Sequence, residues 1–461
     1  MKKIIFAYLP IIFTFATPEE NITTPGLYVF GNDIISTGTL ATTLVRISSN
    51  NVILDLAGHI VRNDTVTSDT TSVGIAIDPG MHDITIQNGI IGPVNGTGII
   101  IESGTQDIAL RNIQINDCNG YGLHCRGSST ERIDGVSLID CSIEGCGISA
   151  PLIGAGLFAE NTRSLFASNC YFSQNSSLYL ASGIYCSECT SCDFSGCKMS
   201  NNKGGTGGIG AYVLGSSDFR FEECTILRNG CPTPSVNTIG SGIRIENSQG
   251  IMIVESTIAA AYAPSGSAIN VSSINSSSIG LLDCIIIGAL GGTYAAGIYS
   301  SNGSSCAIIN SIVQGTTATG IAHGISYANI SAGYIRSNSI LNTRGATSVG
   351  IIDTTTPSAS LIAENYAFNN GANYVVTYSG SVTLPLIIGG FSGSAGLPQH
   401  VSGMLDNVSV NYQATGTAIT GTDSGTGIET SNGSSLIVTL TATTSLISSP
   451  LAGIGATIGI F

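Results

Sequence analysis

Along most of the chain, apolar and polar positions alternate in short runs, and turn residues separate the runs. Gly followed by Ile or Leu, one variable residue and a further mostly apolar residue recurs at Gly74-Ile75, Gly98-Ile99, Gly122-Leu123, Gly156-Leu157, Gly183-Ile184, Gly208-Ile209 and Gly242-Ile243. It continues at Ala268-Ile269, Gly297-Ile298, Gly324-Ile325 and Gly350-Ile351, about every 27 residues. A second alternating run follows each first one, as at 82–88, 106–112, 217–223 and 358–365, and a third comes directly after it, as in "CSIEG", "CTILR" and "SIVQG". Period two predicts three short strands per repeat. A unit this small cannot bury its own apolar face, so its core must come from stacking on its neighbours.

This pattern, with "ITTPGLYVFGNDI" at 22–34 and "SSNNVILDLAGHIV" at 48–61, resembles the right-handed parallel β-helix proteins of the pectate-lyase-like superfold. The resemblance spans about residues 22–370 and implies an all-β, single-stranded right-handed solenoid of about 11–12 coils. It implies no one activity, because lyases, hydrolases, epimerases, adhesins and phage tailspikes share the fold. The expected organisation is a leader over 1–16, an N-terminal cap and first coil over 17–72, the solenoid over 73–370, and a Thr/Ser/Gly-rich β cap or association module over 371–461.

Composition narrows the function. Charged residues are only 10% of the chain, and 29 acidic against 15 basic side chains give a net charge of −14. That balance argues against nucleic acid, which takes a clustered basic face, and against electrostatic docking on an anionic membrane. The mature chain has no apolar run of spanning length. Lys2 and Lys3 ahead of an apolar stretch from Ile4 to Phe15, ending at Ala16, read as an export signal and predict a secreted or cell-surface protein. Residues 371–461 carry no Lys or Arg and offer a surface for homo-oligomer formation.

Thirteen cysteines, an odd number, invite a disulfide reading. Register gives another account: Cys141, Cys170, Cys197, Cys224 and Cys284 each open a third strand, with Ser256 and Ser311 in the same place, as an inward ladder of small thiols would. Cys186, Cys189, Cys192 and Cys197 have a spacing that suggests zinc or an iron–sulfur cluster out of context, but three of them fall on packing positions. No metal and no cofactor are expected. Asn88, Asn112, Asn169, Asn310, Asn338 and Asn365 read as one asparagine ladder at the following turn, and His59 and His400 as isolated.

Chemistry gathers beside the glycine column. Two residues after it stand His124, Phe158, Tyr185, Gly210, Arg244, Asn270 and Tyr299; four after it stand Glu102, Arg126, Glu160, Tyr212 and Glu246. Alternation puts both columns outside. The intervals Gly122–Gly156 and Gly208–Gly242 are each 34 residues, and the extra chain, near 146–154 and 230–240, precedes the same strands as if to wall a groove. Phe158, Tyr185 and Tyr212 are expected to offer flat faces to sugar rings, with Arg126, Arg244 and Glu246 as polar ligand-binding groups. Glu102 and Glu160, with His124 between them, are the catalytic candidates, since glycosidases use two carboxylates and histidine moves protons. Arg126 would pair with a uronate carboxylate. The polygalacturonase set and the Asp-Pro-His signature of alginate epimerases are missing. Three readings stay open: a surface protein presenting a face to a polysaccharide or cell-surface glycan, a polysaccharide-modifying hydrolase, lyase or epimerase, and a structural envelope component.

Overall fold

The computed structural model describes residues 20–37, 43–63, 71–150, 153–233 and 235–354, with short strands elsewhere. The chain divides into two compact units, Met1–Gly230 and Cys231–Phe461. Each is all β, built of parallel strands, and the described residues contain no helix.

In the first unit the glycine-bearing strands form one parallel sheet, here sheet 1. Its strands are Glu20–Ile22, Thr43–Ile47, Val73–Ile77, Thr97–Glu102, Leu123–Arg126, Ile153–Glu160, Leu180–Ser187 and Gly207–Leu214, each paired with the next. The second and third strands of each repeat form sheet 2; they run on without a break at His82–Ile91 and Gln106–Asn116 and separate at Ile133–Ile139 and Ser142–Glu144. The ladder already runs through the segment expected as a cap.

The glycine column exists because there is no room for a Cβ: at Gly122 it would lie 2.2 Å from Ile143 Cγ2 and 2.7 Å from the Gly156 carbonyl oxygen. Where sheet 2 turns, the corner residues take the left-handed conformation, which Asn and Asp tolerate best, as at Asn88, Asn112, Asp140 and Asn169 with φ of 59, 50, 53 and 53°. The single asparagine ladder is corrected here. Asn310 belongs to this corner, but Asn338 and Asn365 lie one residue further on, where Asn338 is buried and takes the Ser311 amide on its Oδ1 at 2.8 Å. A second ladder went unseen: Asn175, Asn202 and Asn229 are buried, and the backbone amides of Asn175 and Asn202 donate to the next residue's Oδ1 at 3.1 and 3.0 Å.

Two register positions also differ from expectation. Gly210 and not Gly208 pairs in line with Gly183, because Ile184 faces Ala211 and Tyr185 faces Tyr212. In the second unit Asn270 and not Ala268 takes the glycine place, since Ile243 pairs with Val271. A two-residue shift keeps every side chain on its face, but it moves Tyr212 into the column of Phe158 and Tyr185. Asn270 fits where glycine usually stands by accepting from the Ala261 amide and donating to the Ile287 carbonyl, both at 3.1 Å.

All thirteen cysteines are free and buried. Burial pushes the Cys284 thiol up to about 11, so it stays protonated at neutral pH. Among the described residues no cluster of three His, Cys, Asp or Glu has metal-binding geometry.

The second unit repeats the plan. Its own glycine-bearing strands, labelled sheet 1 of the second unit, are Ile239–Glu246, Ser267–Ile274, Tyr294–Ser301, Ile321–Ala328 and Thr347–Asp353, then Ala372–Gly380, Val408–Thr415 and Ser435–Thr441. The last three are the longer described strands of the expected tail module. Apart from a short strand at Ile387–Ile388, the rest of that tail, His400 included, and the leader apart from a strand at Ile11–Phe13 lie outside the described residues.

Candidate functional site

The outer face of sheet 1 in the first unit carries two adjoining columns. One reads Ile100, His124, Phe158, Tyr185, Tyr212, and the other Glu102, Arg126, Glu160, Ser187, Leu214. Between them Ile101, Cys125, Ala159, Cys186 and Val213 are wholly buried, which is why the flanking columns face out. Parallel in-register stacking sets like positions about 4.8 Å apart, so a side chain reaches the equivalent place on the next coil.

Four sequence candidates meet here, in two pairs. His124 Nε2 lies 3.2 Å from Glu160 Oε2, one coil on. Arg126 donates from Nε and Nη2 to the two oxygens of Glu102, at 2.9 and 2.6 Å. That fork engages the Glu102 carboxylate through both oxygens and leaves the Glu160 carboxylate, 38% exposed, as the more accessible of the two.

The aromatic residues behave differently from expectation. Phe158 lies between two rings, with Tyr121 stacked at 4.4 Å on one side and Tyr185 at 4.7 Å on the other. Tyr212 meets Tyr185 edge-on at 5.3 Å. Phe158, Tyr185 and Tyr212 are therefore only 7–9% exposed and pack with Ala155 and Ile209 as one outer apolar cluster, against which Ile153 and Leu180 also lie. Both faces of Phe158 are occupied, so it offers a ligand an edge. Side chains this large on adjacent coils are closer to each other than to anything in solvent, and they stack.

Tyr121 was missed. It precedes Gly122, outside the two columns that follow the glycine. Its ring meets His124 edge-on at 4.8 Å, and burial, then the nearby Glu160 charge, raises its hydroxyl above the usual tyrosine value. Ser182 was missed for the same reason: it lies between Ala155 and Ile209 in Tyr121's column, fully buried, with no hydrogen-bond partner for its Oγ. Extending the columns one residue towards the N-terminus finds both. The first part of the insertion, 146–150, folds back beside Tyr121, where the amides of Gly147 and Ser149 donate to the carbonyls of Gly120 and Asn119 at 2.7 and 2.8 Å.

Arg244 and Glu246 belong to the second unit, as does the expected loop at 230–240 from Cys231 onward. They sit two residues apart on one strand and form an ion pair, with Arg244 Nε 2.7 Å from Glu246 Oε1. Further along that unit, Tyr294 Oη lies 3.2 Å from His323 Nδ1, and burial pulls the imidazole down to about 4, so it is neutral at neutral pH. His59 is not isolated either: its Nδ1 lies 3.1 Å from Asp33 Oδ1.

None of the curated proteins matches this chain. Among solved structures, the Dettilon tailspike protein is 12% identical with a TM-score of 0.44, over 69% of this chain and 61% of that one. The chain thus spans about three fifths of the tailspike's length. The A-module of the Azotobacter vinelandii mannuronan C-5 epimerase AlgE6 is 12% identical with a TM-score of 0.43, over 75% and 91%. The GH87 alpha-1,3-glucanase catalytic unit from Streptomyces thermodiastaticus is 16% identical with a TM-score of 0.37, over 70% and 62%. The family model of the right handed beta helix region matches residues 73–258 and 136–324, which together exceed half of the chain. The repeat read in the sequence and the parallel ladders of both units agree with it, and the chain belongs to the right-handed β-helix family.

Proposed function

We propose that this is an exported polysaccharide-modifying protein that works by proton transfer on the sheet 1 face of its first unit. The observation that carries the reading is the His124–Glu160 contact, set beside Tyr121 and an aromatic cluster. In the tautomer that donates Nε2–H to Glu160, Nδ1 is the basic nitrogen, and the carboxylate stabilises the imidazolium that forms. Two-carboxylate hydrolysis fits less well, because Arg126 holds Glu102 through both oxygens. Elimination from a uronic residue uses what is free. The proton on C5 passes to Nδ1, its electron pair forms the C4–C5 double bond, and the C4–O bond breaks. The leaving oxygen then takes a proton from water, and the imidazolium returns one to the hydroxide. His124 and Glu160 are the residues on which this depends.

The same Arg126–Glu102 fork favours a second reading, in which the face only retains a cell-surface glycan, as an adhesin does. Incubating the purified chain with polyuronates and neutral glycans separates the two. New unsaturated ends that fall about a hundredfold or more in His124→Ala and Glu160→Gln support the enzyme. Retention without new ends supports presentation, and ends that persist in both variants remove the dyad from the reaction.

A further inference from the structure

In the first unit the outward positions of the second and third strands carry charge, as at Asp193, Lys198, Arg220 and Glu222. In the second unit the corresponding strands Gln249–Val254, Thr257–Ala259, Ser277–Leu282, Ile285–Ile287, Cys306–Ile309 and Ile312–Gln314 contain no charged residue. Ile253, Leu281, Ile308, Ile286 and Val313 are buried, so their neighbours face out: Val254, Leu282 and Ile309 in one column, Ile285 and Ile312 in another. Ile285 is 40% and Ile312 39% exposed. The Met252 side chain lies across Gly280, where a Cβ would come 2.5 Å from its sulfur, and fills the gap that the missing side chain leaves. Charge returns at the edges of this face, in a definite order. Glu255 and Asp283 stand exposed at the corners after Val254 and Leu282, and Asp283 accepts from Asn310 of the next coil. Three coils on from Val254 the same column ends in Arg336, also exposed. One end of the face is acidic, the middle apolar and the other end basic.

We propose that two copies of the chain associate through this face, with the coils of their second units running antiparallel. The order of the charges selects a second copy as the occupant. With a two-fold axis parallel to the strands and between the coils of Leu282 and Ile309, Leu282 meets Ile309 of the partner subunit and Ile285 meets Ile312 of the partner subunit. The same axis brings Arg336 to Glu255 of the partner subunit, once at each end. A parallel pairing would instead set like charges together at both ends. Four coils at about 4.8 Å and eight residues at about 3.3 Å give roughly 1,000 Å² over the two copies, the low end for a specific contact, so the association is reversible. This surface is distinct from the sheet 1 face of the first unit and does not depend on what that face binds.

Sedimentation of the full chain from about 1 to 100 μM, the range suited to a contact this small, tests the proposal. The expected result is a monomer–dimer equilibrium. Ile285→Thr combined with Ile312→Ser gives both coils what the same column holds at Thr257 and Ser339, so the fold should keep its melting temperature. Dimerisation should weaken at least about tenfold. Arg336→Glu alone should weaken it about threefold or more at low salt. Adding Glu255→Arg should restore it, because the two ends are then exchanged in both copies; Arg228 shows that arginine takes the left-handed corner conformation, with φ of 54°. A chain that stays monomeric overturns the proposal, and so does a trimer, which a two-fold face cannot build. A dimer that the isoleucine pair leaves unchanged overturns it by moving the contact to another surface. A double charge exchange that fails to restore the dimer overturns the antiparallel pairing.

Discussion

The outer columns of sheet 1 differ between the two units, although their inner columns do the same work. In the first unit the column two places after the glycine reads His124, Phe158, Tyr185, Tyr212; in the second it reads Arg244, Ser272, Tyr299, Ser326. Beneath them the residues one place after the glycine, Leu157, Ile184 and Ala211 in one unit and Ile243, Val271, Ile298 and Ile325 in the other, are all buried. Inward positions are tied to the coils before and after, because a change in volume there has to be met by both neighbours. Outward positions answer only to solvent and to each other. Where several outward residues in a row are large and flat, they stack into a continuous cluster; where serine interrupts, Tyr299 has small neighbours in its own column and meets Tyr294 of its own strand, edge-on at 6.1 Å. The chemistry of the molecule is written on the columns that the fold leaves free.

The largest effect should come from breaking an inward column. Phe194 is fully buried, with Phe221 stacked at 5.2 Å and Phe219 at 6.4 Å. Phe194→Ala should cost about 3–5 kcal/mol, the usual range for emptying a packed aromatic site. Phe158→Ala, on the outward column, should cost less than half of that, since water can enter the space and only ring stacking and partial burial are lost. Urea unfolding of both variants measures the difference. Equal costs would mean that the outer cluster is part of the core and that the division between the columns is wrong.

A medium effect sharpens the comparison from the second unit. His323 beside Tyr294 is held neutral down to about 4, against an ordinary value of 6.5. Between those values the unfolded chain binds the proton and the fold does not, so stability rises with pH there and falls as pH drops from 6.5 towards 4. The loss attributable to this imidazole should be about 2 kcal/mol, discounted from the full shift for its partial exposure. Comparing the wild type with His323→Gln from pH 7 to pH 4 isolates it from the carboxylates that titrate in the same range. Parallel stability curves would show that the imidazole takes up its proton in the fold as readily as in the unfolded chain.

The fold was legible because its signal is repeated: Gly-Ile at a fixed period, followed by two alternating runs, points to one stacking solution many times over. The errors in register came where the signal was diluted. "TGGIG" at 206–210 offers three glycines for one place, and at 268–270 Asn270 substitutes for glycine through hydrogen bonds that no pattern announces. The ladder of Asn175, Asn202 and Asn229 was hidden in what read as ordinary polar turn residues. The sequence put His124, Glu160, Glu102 and Arg126 on the outer face of sheet 1, where they lie, because alternation fixes sides. It did not show which carboxylate would be taken by the arginine or that the rings would consume each other's faces. Those depend on side-chain reach between coils, a distance that periodicity does not carry.

The smallest stability effect should be the most informative about the site. The Arg126–Glu102 fork has side chains 55% and 21% exposed, whereas the Arg244–Glu246 pair of the second unit is 21% and 16% exposed. Surface pairs contribute about 0–1 kcal/mol, so Glu102→Gln should change stability by less than about 0.5 kcal/mol. Glu246→Gln should cost more, about 1–2 kcal/mol, because it strands a guanidinium with less water around it. Denaturant titrations of both variants at low and high salt measure this, and salt should shrink the first difference more than the second. A larger cost for Glu102→Gln would mean that the fork braces coils and is not a removable cover over Arg126. A cost near zero, with Glu246→Gln still destabilising, would show that two pairs of the same chemistry hold different places: one inside the packing of its strand, the other on a face whose charges can be rearranged without disturbing the fold.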